Sequence, residues 1–201
     1  MIQVRPMVAD DIPGVVALQR LCFPPPFRVD QLWTVEHLTS HLGIFAPGQF
    51  VAIDEGTILG SASAALVCEQ VWNEHRSWEG TLVSFYLEGH DPTGTTLYGA
   101  DISVHPLSRG KGVGRALYHA RFNLVQKLGI ARFGTGCRLP GLKASGLDPE
   151  VYISQVQAND RTDLTLTPLL RYGLTLHGVI ENYMNDEESL NCAALLSYER
   201  S

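Results

Sequence analysis

The stretch VHPLSRGKGVGRALYHA, residues 104–120, places three glycines and three basic side chains just before an amphipathic helical pattern. The first turn of a helix leaves backbone N–H groups unpaired, and the helix dipole adds partial positive charge at that end. Glycine lets the backbone approach a bound anion closely. The stretch therefore predicts a cradle for a pyrophosphate group, while ordinary turn glycines remain the alternative.

Two better-known phosphate motifs do not fit this stretch. A Walker loop requires Ser or Thr directly after its lysine, and here Gly112 follows Lys111. A dinucleotide fingerprint requires G-x-G-x-x-G early in the chain, whereas the spacing here is G-x-G-x-G in its middle. Both nucleotide classes are thus excluded as the source of the pattern.

The pattern V-x-P-x-x-R-G-x-G-V-G-x-x-L resembles motif A of the GNAT superfamily of acyl-CoA-dependent N-acyltransferases, and Arg109, Gly112 and Gly114 meet its core R-x-x-G-x-G/A. Four further patterns are similar to the acetyltransferase-like domain that is fused to carbon–nitrogen hydrolases in some bacterial proteins: HDPTG-x-x-LYGADI-x-V-x-P, GCRLPG, E-x-Y-I and GVIENYM-x-D-E. The resemblance implies a single domain over residues 1–201, and we expect no hydrolase after its last strand.

The order of elements predicts the fold class. With 201 residues, 45% of them hydrophobic, the chain fits one well-cored domain. We expect strands at residues 2–8, 49–54, 57–67, 81–88, 95–104, 131–139, 174–184 and 190–199. We expect helices at residues 9–23, 29–42, 113–128, 148–156 and 166–173, with a loop at 69–80.

Residues that cap or break helices predict several of these boundaries. Asp10 is the expected N-cap of the first helix, the PPPF run at residues 24–27 should break it, and Gly43 should end the second. Together these elements predict an α/β (α+β) fold with a mixed, mostly antiparallel sheet of about seven strands flanked by helices. The resemblance adds that the sheet is splayed at the strand–loop–helix cofactor site.

The resemblance also implies specific cofactor contacts. Backbone groups of the glycine-rich loop would bind the pyrophosphate of acetyl-CoA, namely Arg109, Gly110, Lys111, Gly112, Val113 and Gly114. Arg115 would lie near the phosphates. Ile102, Ser103 and Val104 would line the pantetheine arm.

Acyl transfer to a primary amine, by direct attack in a ternary complex, calls for a base. Asp101 on the strand that feeds the loop is the first candidate, with a purely structural carboxylate as its alternative. Glu88 and His90 precede the same strand, but ordinary loop polarity explains them as well.

The family's usual acid is a Tyr in a Y-x-x-x-G-F ending, and the matching position here is Leu169. Tyr152, Tyr172 and Tyr183 are substitutes, of which we select Tyr183, although a buried, packing Tyr is the more common role.

Composition limits the remaining partners. A net charge of −6 argues against nucleic-acid binding, and no long apolar run predicts membrane insertion. Four separated cysteines predict a reduced, cytoplasmic protein. His37 and His41 have a zinc-compatible spacing without a third ligand, so we expect a partly exposed helix face and no metal. A homodimer is compatible with the sequence. The alternative function is a non-catalytic acyl-CoA-binding module with a regulatory or scaffolding role.

Overall fold

A single seven-stranded sheet organises the computed structural model, which describes residues 2–25 and 27–200. The strands lie in the order β1-β2-β3-β4-β5-β7-β6. All neighbouring pairs are antiparallel except β4 and β5. The bounds are β1 Gln3–Pro6, β2 Phe50–Asp54, β3 Thr57–Val67, β4 Thr96–Val104, β5 Arg132–Arg138, β6 Thr175–Ile180 and β7 Ala193–Glu199. The predicted fold class is confirmed.

Helices cover both faces of the sheet, because apolar side chains alternate along its central strands and build two hydrophobic clusters. One face carries α1 Ile12–Cys22, α2 Val35–Phe45, α3 Glu69–Asn73 and α4 Trp78–Leu82. The opposite face carries α5 Val113–Leu128, α6 Leu142–Ser145, α7 Pro149–Gln157 and α8 Leu166–Arg171. We call these the α1 face and the α5 face.

The parallel pair of strands in the middle of the sheet separates into a fork. β4 and β5 are in register at only three positions, the last of them Tyr98 opposite Gly134. Beyond that point β4 stays paired with β3, and β5 stays paired with β7. The hydroxyl of Thr135 bridges the start of the fork by donating to the carbonyl of Gly99 at 3.0 Å.

A β-bulge at Ala100 bends β4 on one side of this fork. Ser63 of β3 faces Asp101 and the next residue faces Gly99, so Ala100 has no partner in the ladder. The buried guanidinium of Arg121, from α5, donates to the carbonyls of Ser63 (2.8 Å) and Asp101. The indole of Trp78 donates to the carbonyl of Ala100 at 2.9 Å. Side chains therefore satisfy the carbonyls that the bulge removes from the ladder.

The strand predicted at residues 81–88 is wrong, and so is the loop at 69–80. These residues form the short helices α3 and α4 followed by turns. Ser77 caps α4 by accepting from the N–H of Gly80 at 3.0 Å. Val83 and Leu87 have φ values of 67° and 61°, and positive φ is incompatible with a strand.

Several helix boundaries also differ from the prediction. Asp10 lies in a 3₁₀ turn, and α1 begins after it because Asp11 turns back to bind Arg5 at 2.7 and 2.8 Å. The helix ends before the proline run, whose Pro26 lies outside the described residues. α2 begins after Thr34, which caps it, and it continues past Gly43. The predicted end of α5 at Gly129, with φ 69°, is confirmed.

Candidate active site

A cavity of about 1240 Å³ fills the fork and extends to both faces of the sheet. On the α5 face its walls come from the glycine-rich loop, the start of α5 and α8. On the α1 face they come from the connection between α1 and α2, from α4 and from the turn that follows β6. We call the whole cavity the cleft.

The glycine-rich loop has the geometry of an anion cradle. Gly110 and Gly112 have φ values of 76° and 87°, and no atom lies within 4 Å of a Cβ added at either position. At the start of α5, the N–H of Ala116 donates to the carbonyl of Gly112 at 2.9 Å. The N–H groups ahead of Ala116 in the helix have no carbonyl one turn earlier within it. The end of the helix therefore offers donors to an open space.

The structure brings nearly all the predicted cofactor residues together. The predicted residues that line the cleft are Ile102, Ser103, Val104, Arg109, Gly110, Gly112, Val113, Gly114 and Arg115. Lys111 is exposed and is not one of them. The side chains of Val113 and Ser103 are buried away from the loop's open space, Val113 in the core and Ser103 against α1. The contacts of all these residues with a cofactor stay predictions.

Asp101 lies on the α1 face of the fork and is held by two neutral side chains. Its Oδ2 accepts from Nε2 of Gln19 at 2.9 Å and from the hydroxyl of Ser103 at 3.2 Å. Nε2 of Gln19 also donates to the Ser103 hydroxyl at 2.7 Å. The described residues make no hydrogen bond to Oδ1. One carboxylate oxygen is therefore fixed by hydrogen bonds, while the indole of Trp33 approaches the carboxylate as well.

Burial raises the pKa of Asp101 above that of an ordinary carboxyl group. The charge of Arg121 opposes this effect most strongly, followed by Ser103, Trp33 and Gln19. The indole of Trp33 faces the carboxylate, but it lacks a hydrogen bond of normal geometry. A carboxylate with a raised pKa is a stronger base than an exposed one. In contrast, burial raises the pKa of the nearby Cys22 thiol to about 11, which keeps it protonated.

Tyr183 lies beyond the end of β6 and not on the strand predicted for it. Its ring packs directly on Gly136 of β5, where an added Cβ would come within 2.3 Å of the ring. Its hydroxyl lies 2.8 Å from that of Tyr98, and burial raises its pKa well above 10. Tyr183 lines the cleft at the base of the fork, and its role as an acid stays a prediction.

The other tyrosines take different places. The hydroxyl of Tyr152 donates to Asp163 at 2.6 Å, outside the cleft. Tyr172 lines the cleft beside the glycine-rich loop, with its hydroxyl 3.8 Å from the position of a Cβ added at Gly114. Leu169 also lines the cleft, so the position of the family's usual acid faces the cofactor side without a hydroxyl.

The remaining polar candidates lie away from the cleft. Nδ1 of His90 accepts from the N–H of Leu66 at 3.0 Å, and Glu88 is exposed. Of the two histidines expected on a partly exposed helix face, His37 is half-buried, but His41 is fully buried and its Nε2 lies 2.8 Å from the carbonyl oxygen of Phe85. Burial lowers its pKa to about 4. The described residues contain no group of three or more side chains that could hold a metal ion.

Gln19, Trp33 and Arg121 are the residues that sequence reasoning missed. Gln19 and Arg121 are 2% and 1% exposed although each lies within an apolar helix stripe. A polar residue in such a stripe is the one signal that the sequence offered. It does not tell which partner across the fold the residue binds.

Comparisons with known proteins show the family of this chain. The model of the Acetyltransferase (GNAT) family matches residues 12–147. The chain belongs to the GNAT family. The GNAT relatives include the uncharacterized N-acetyltransferase YkwB of Bacillus subtilis, 32% identical over 198 residues, which cover 98% of this chain and 88% of the relative. The probable hydrolase YhcX of the same organism is also 32% identical, over 97% of this chain but only 38% of its own length.

Solved GNAT-like structures share the fold. The loading GNATL domain of CurA from Lyngbya majuscula has a TM-score of 0.82 at 18% identity, covering 99% of this chain and 98% of that one. The GphF GNAT-like decarboxylase in complex with isobutyryl-CoA has a TM-score of 0.79 at 21% identity, with 98% coverage of both chains. The ribosomal-protein-S18-alanine N-acetyltransferase of Escherichia coli has a TM-score of 0.60 at 16% identity, covering 100% of this chain and 95% of that one.

None of the helices in the described part of the chain combines the length and the hydropathy that a membrane-spanning helix needs.

Proposed function

We propose that the protein transfers an acetyl group from acetyl-CoA to a primary amine by direct attack within a ternary complex. The observation that carries the proposal is the fork itself, which joins an anion cradle on the α5 face to a buried carboxylate on the α1 face. Donor and acceptor can therefore enter from opposite faces and meet in the opening between β4 and β5.

The residues of the α5 face fit acetyl-CoA. Its pyrophosphate would occupy the open space over Gly110 and Gly112, with Arg109 and Arg115 adding positive charge. Its pantetheine arm would run along residues 102–104, where β4 has no neighbour on the fork side. The thioester would then lie near the bulge at Ala100.

We assign Asp101 as the base that removes a proton from the amine. An amine with a pKa of ~10.4 is about one part in 2,500 neutral at pH 7, which costs roughly 4.6 kcal/mol of reactivity. Oδ1 of Asp101 takes the proton as the nitrogen bonds to the thioester carbon and the carbon–sulfur bond breaks. Gln19 and Ser103 position the carboxylate through Oδ2.

No residue needs to donate a proton to the departing sulfur. Tyr183 is the predicted donor, but its hydroxyl is already paired with that of Tyr98 and burial raises its pKa. A thiolate is a weak enough base to leave as an anion. We therefore propose that Tyr183 supports the base of the fork and contributes little to the transfer.

The test combines binding with turnover. Acetyl-CoA at a hundredfold excess over its Kd should stabilise the protein by about 2.7 kcal/mol, which is read as a rise in melting temperature. A panel of primary amines is then screened for release of free CoA thiol. Asp101→Asn should bind acetyl-CoA normally and release almost no thiol. Absence of any shift with CoA or acetyl-CoA would contradict the cofactor assignment.

The second candidate is an acyl-CoA-binding module that does not acetylate amines. Leu169 in place of the usual Tyr favours it, as do structural neighbours described as a loading domain and a decarboxylase. It predicts a melting shift with acetyl-CoA and no amine-dependent thiol release. Our proposal also keeps one catalytic unit over residues 1–201, a cytoplasmic location and no metal, and it is compatible with a homodimer.

A further inference from the structure

We call the part of the cleft on the α1 face the acceptor chamber. It is bounded by residues 23–25 and 27–33, by α4, by residues 182–188 and, at its inner end, by Asp101. The glycine-rich loop lies on the opposite face of the sheet. The proposed function assigns this chamber to the amine but does not say what the amine is attached to.

Aromatic rings form the walls of the acceptor chamber. Trp33, Trp78 and Phe85 contact one another with centroid separations of 5.8, 5.9 and 5.0 Å. Phe23 and Phe27 pack together at 4.9 Å on the connection that forms another wall. Flat apolar walls stabilise an apolar body of a ligand, and their faces attract a cation.

The cations of the chamber are already paired. Arg28 binds Asp30 at 2.6 Å. Arg138 binds Asp186 at 2.6 Å and Glu188 at 3.2 Å, and its guanidinium lies 4.8 Å from the ring of Phe27. Arg28 and Arg138 are therefore both already engaged by carboxylates of the protein.

Two carboxylates of the chamber have no such partner. Neither Asp101 at the inner end nor the exposed Glu79 of α4 forms an ion pair with a described residue. The chamber thus carries a net negative charge, which attracts a cationic amine and repels an anion.

Unpartnered polar atoms in the chamber wall indicate a ligand. Nε1 of Trp33, in a residue only 5% exposed, faces Asp101 without a proper hydrogen bond. Oε1 of Gln31 is also buried and has no partner among the described residues. Buried polar groups rarely stay unpaired in a native protein. An amine beside Asp101 matches both atoms, because its N–H groups can donate to Oε1 of Gln31 and its lone pair can accept from the indole N–H of Trp33.

We propose that the acceptor is a primary amine on an apolar aromatic or alkyl body that carries no carboxylate. This inference rests on the proposed function for the identity of the reaction, but it concerns the chamber alone. The aromatic walls hold the body, Asp101 receives the amine, and the unpaired carboxylates exclude amino acids and acidic acceptors.

Two matched pairs of amines test this inference. 2-Phenylethylamine and phenylalanine differ by one carboxylate, and so do hexylamine and 7-aminoheptanoate. We measure binding of each to the protein saturated with CoA, by calorimetry, and thiol release with acetyl-CoA. The amine without the carboxylate should bind at least about tenfold more tightly in both pairs. Equal binding, preference for the carboxylated member or no binding by any of the four would overturn the inference.

The two readouts separate this inference from the proposed function. Preferential binding without thiol release supports the chamber assignment and contradicts acetyl transfer. Thiol release that favours phenylalanine supports acetyl transfer and contradicts the chamber assignment.

A charge reversal at Glu79 provides a second test. Glu79→Lys should reduce the preference for 2-phenylethylamine over phenylalanine by about threefold or more, because it replaces a repulsive charge near the chamber with an attractive one. Glu55→Lys, in the exposed turn between β2 and β3, makes the same charge change away from the cleft and should leave the preference unchanged. The same response in both variants would contradict a local role of Glu79.

Discussion

The two ends of the cleft are built in different ways. The donor end consists mainly of backbone, with Gly110 and Gly112 in left-handed conformations before the N-terminus of α5. The acceptor end consists of side chains from segments far apart in the chain, such as Gln19, Trp33 and Tyr183. A site made of backbone groups needs particular residues in a consecutive stretch of the chain. A chamber made of side chains can be formed by many different combinations of residues. The donor should therefore be the fixed part of the reaction and the acceptor the variable part.

The largest effect is expected at the point where the two ends meet. Asp101→Asn should lower kcat for amine acetylation by about 10²- to 10⁴-fold, because the amide cannot accept the proton. Acetyl-CoA should still raise the melting temperature as in the unchanged protein. In the unchanged protein, kcat should fall with decreasing pH above the ordinary range of aspartate, because burial raises the pKa of Asp101 and the base is lost once protonated. Retention of a third of kcat in the variant would contradict the assignment.

A smaller loss is expected from the donor end. Gly112→Val should weaken acetyl-CoA binding by about 10- to 100-fold, since the side chain fills the open space of the cradle and strains a residue at φ 87°. The measurement is the Kd by calorimetry.

Gly56→Val is the matched control for this substitution. Gly56 has φ 80° and open space around a Cβ, but it lies in the turn between β2 and β3. It should cost a similar free energy of unfolding and leave the Kd unchanged. Equal weakening by both substitutions would show that backbone strain, and not the cradle, is responsible.

Gln19→Leu should have an intermediate effect that depends on pH. Loss of a hydrogen bond to the Asp101 carboxylate raises its pKa, so the acidic limb of the pH–rate profile should move up by about one pH unit. Arg121 and Cys22 also face this carboxylate and remain unchanged.

Gln49→Leu removes a comparable buried amide outside the cleft, which donates to the carbonyls of Phe45 and Ala64. This control should lower stability without moving the profile. If the pH–rate profile of Gln19→Leu does not move, Gln19 only packs in the fold and does not position the Asp101 carboxylate.

Tyr183→Phe should have the smallest effect on turnover, less than about threefold in kcat, while the lost hydrogen bond to Tyr98 lowers the free energy of unfolding by about 1 kcal/mol. The two quantities are measured by thiol release and urea unfolding. A hundredfold loss of kcat at unchanged stability would instead establish Tyr183 as the proton donor.

The same contrast explains how much of the fold the sequence could predict. The hairpin of β2 and β3 and the long helix α5 follow from alternation, helical periodicity and a terminal glycine, all of which are local. Helices α3 and α4 have five residues each, which is too short for a periodic signal. The turns after α4 use positive φ at Val83 and Leu87, residue types that do not announce a turn.

The candidate site divides in the same way. The cradle could be predicted because its residues are consecutive, and the structure places nearly all of them on the cleft. Asp101 could be selected because it is a carboxylate on the strand that leads into the loop. Its hydrogen bond with Gln19, however, joins residues 82 positions apart in the sequence. The convergence of Trp33, Trp78 and Phe85 likewise depends on how α2 and α4 pack on the sheet. Such contacts come from tertiary packing and leave no mark in any single stretch.

Because Arg121 binds the carbonyls at the bulge, α5 holds the cradle at a fixed distance from the bulge. The helix begins at Val113 beside the cradle, and Arg121 fixes its third turn to the carbonyls of Ser63 and Asp101. Eight residues at 1.5 Å each set a span of about 12 Å between the phosphate end and the reacting end. Under the proposed function, this span sets the length of the arm that can carry the acyl group. We expect a thioester with an arm shorter than pantetheine to reach either the cradle or the reacting end, but not both.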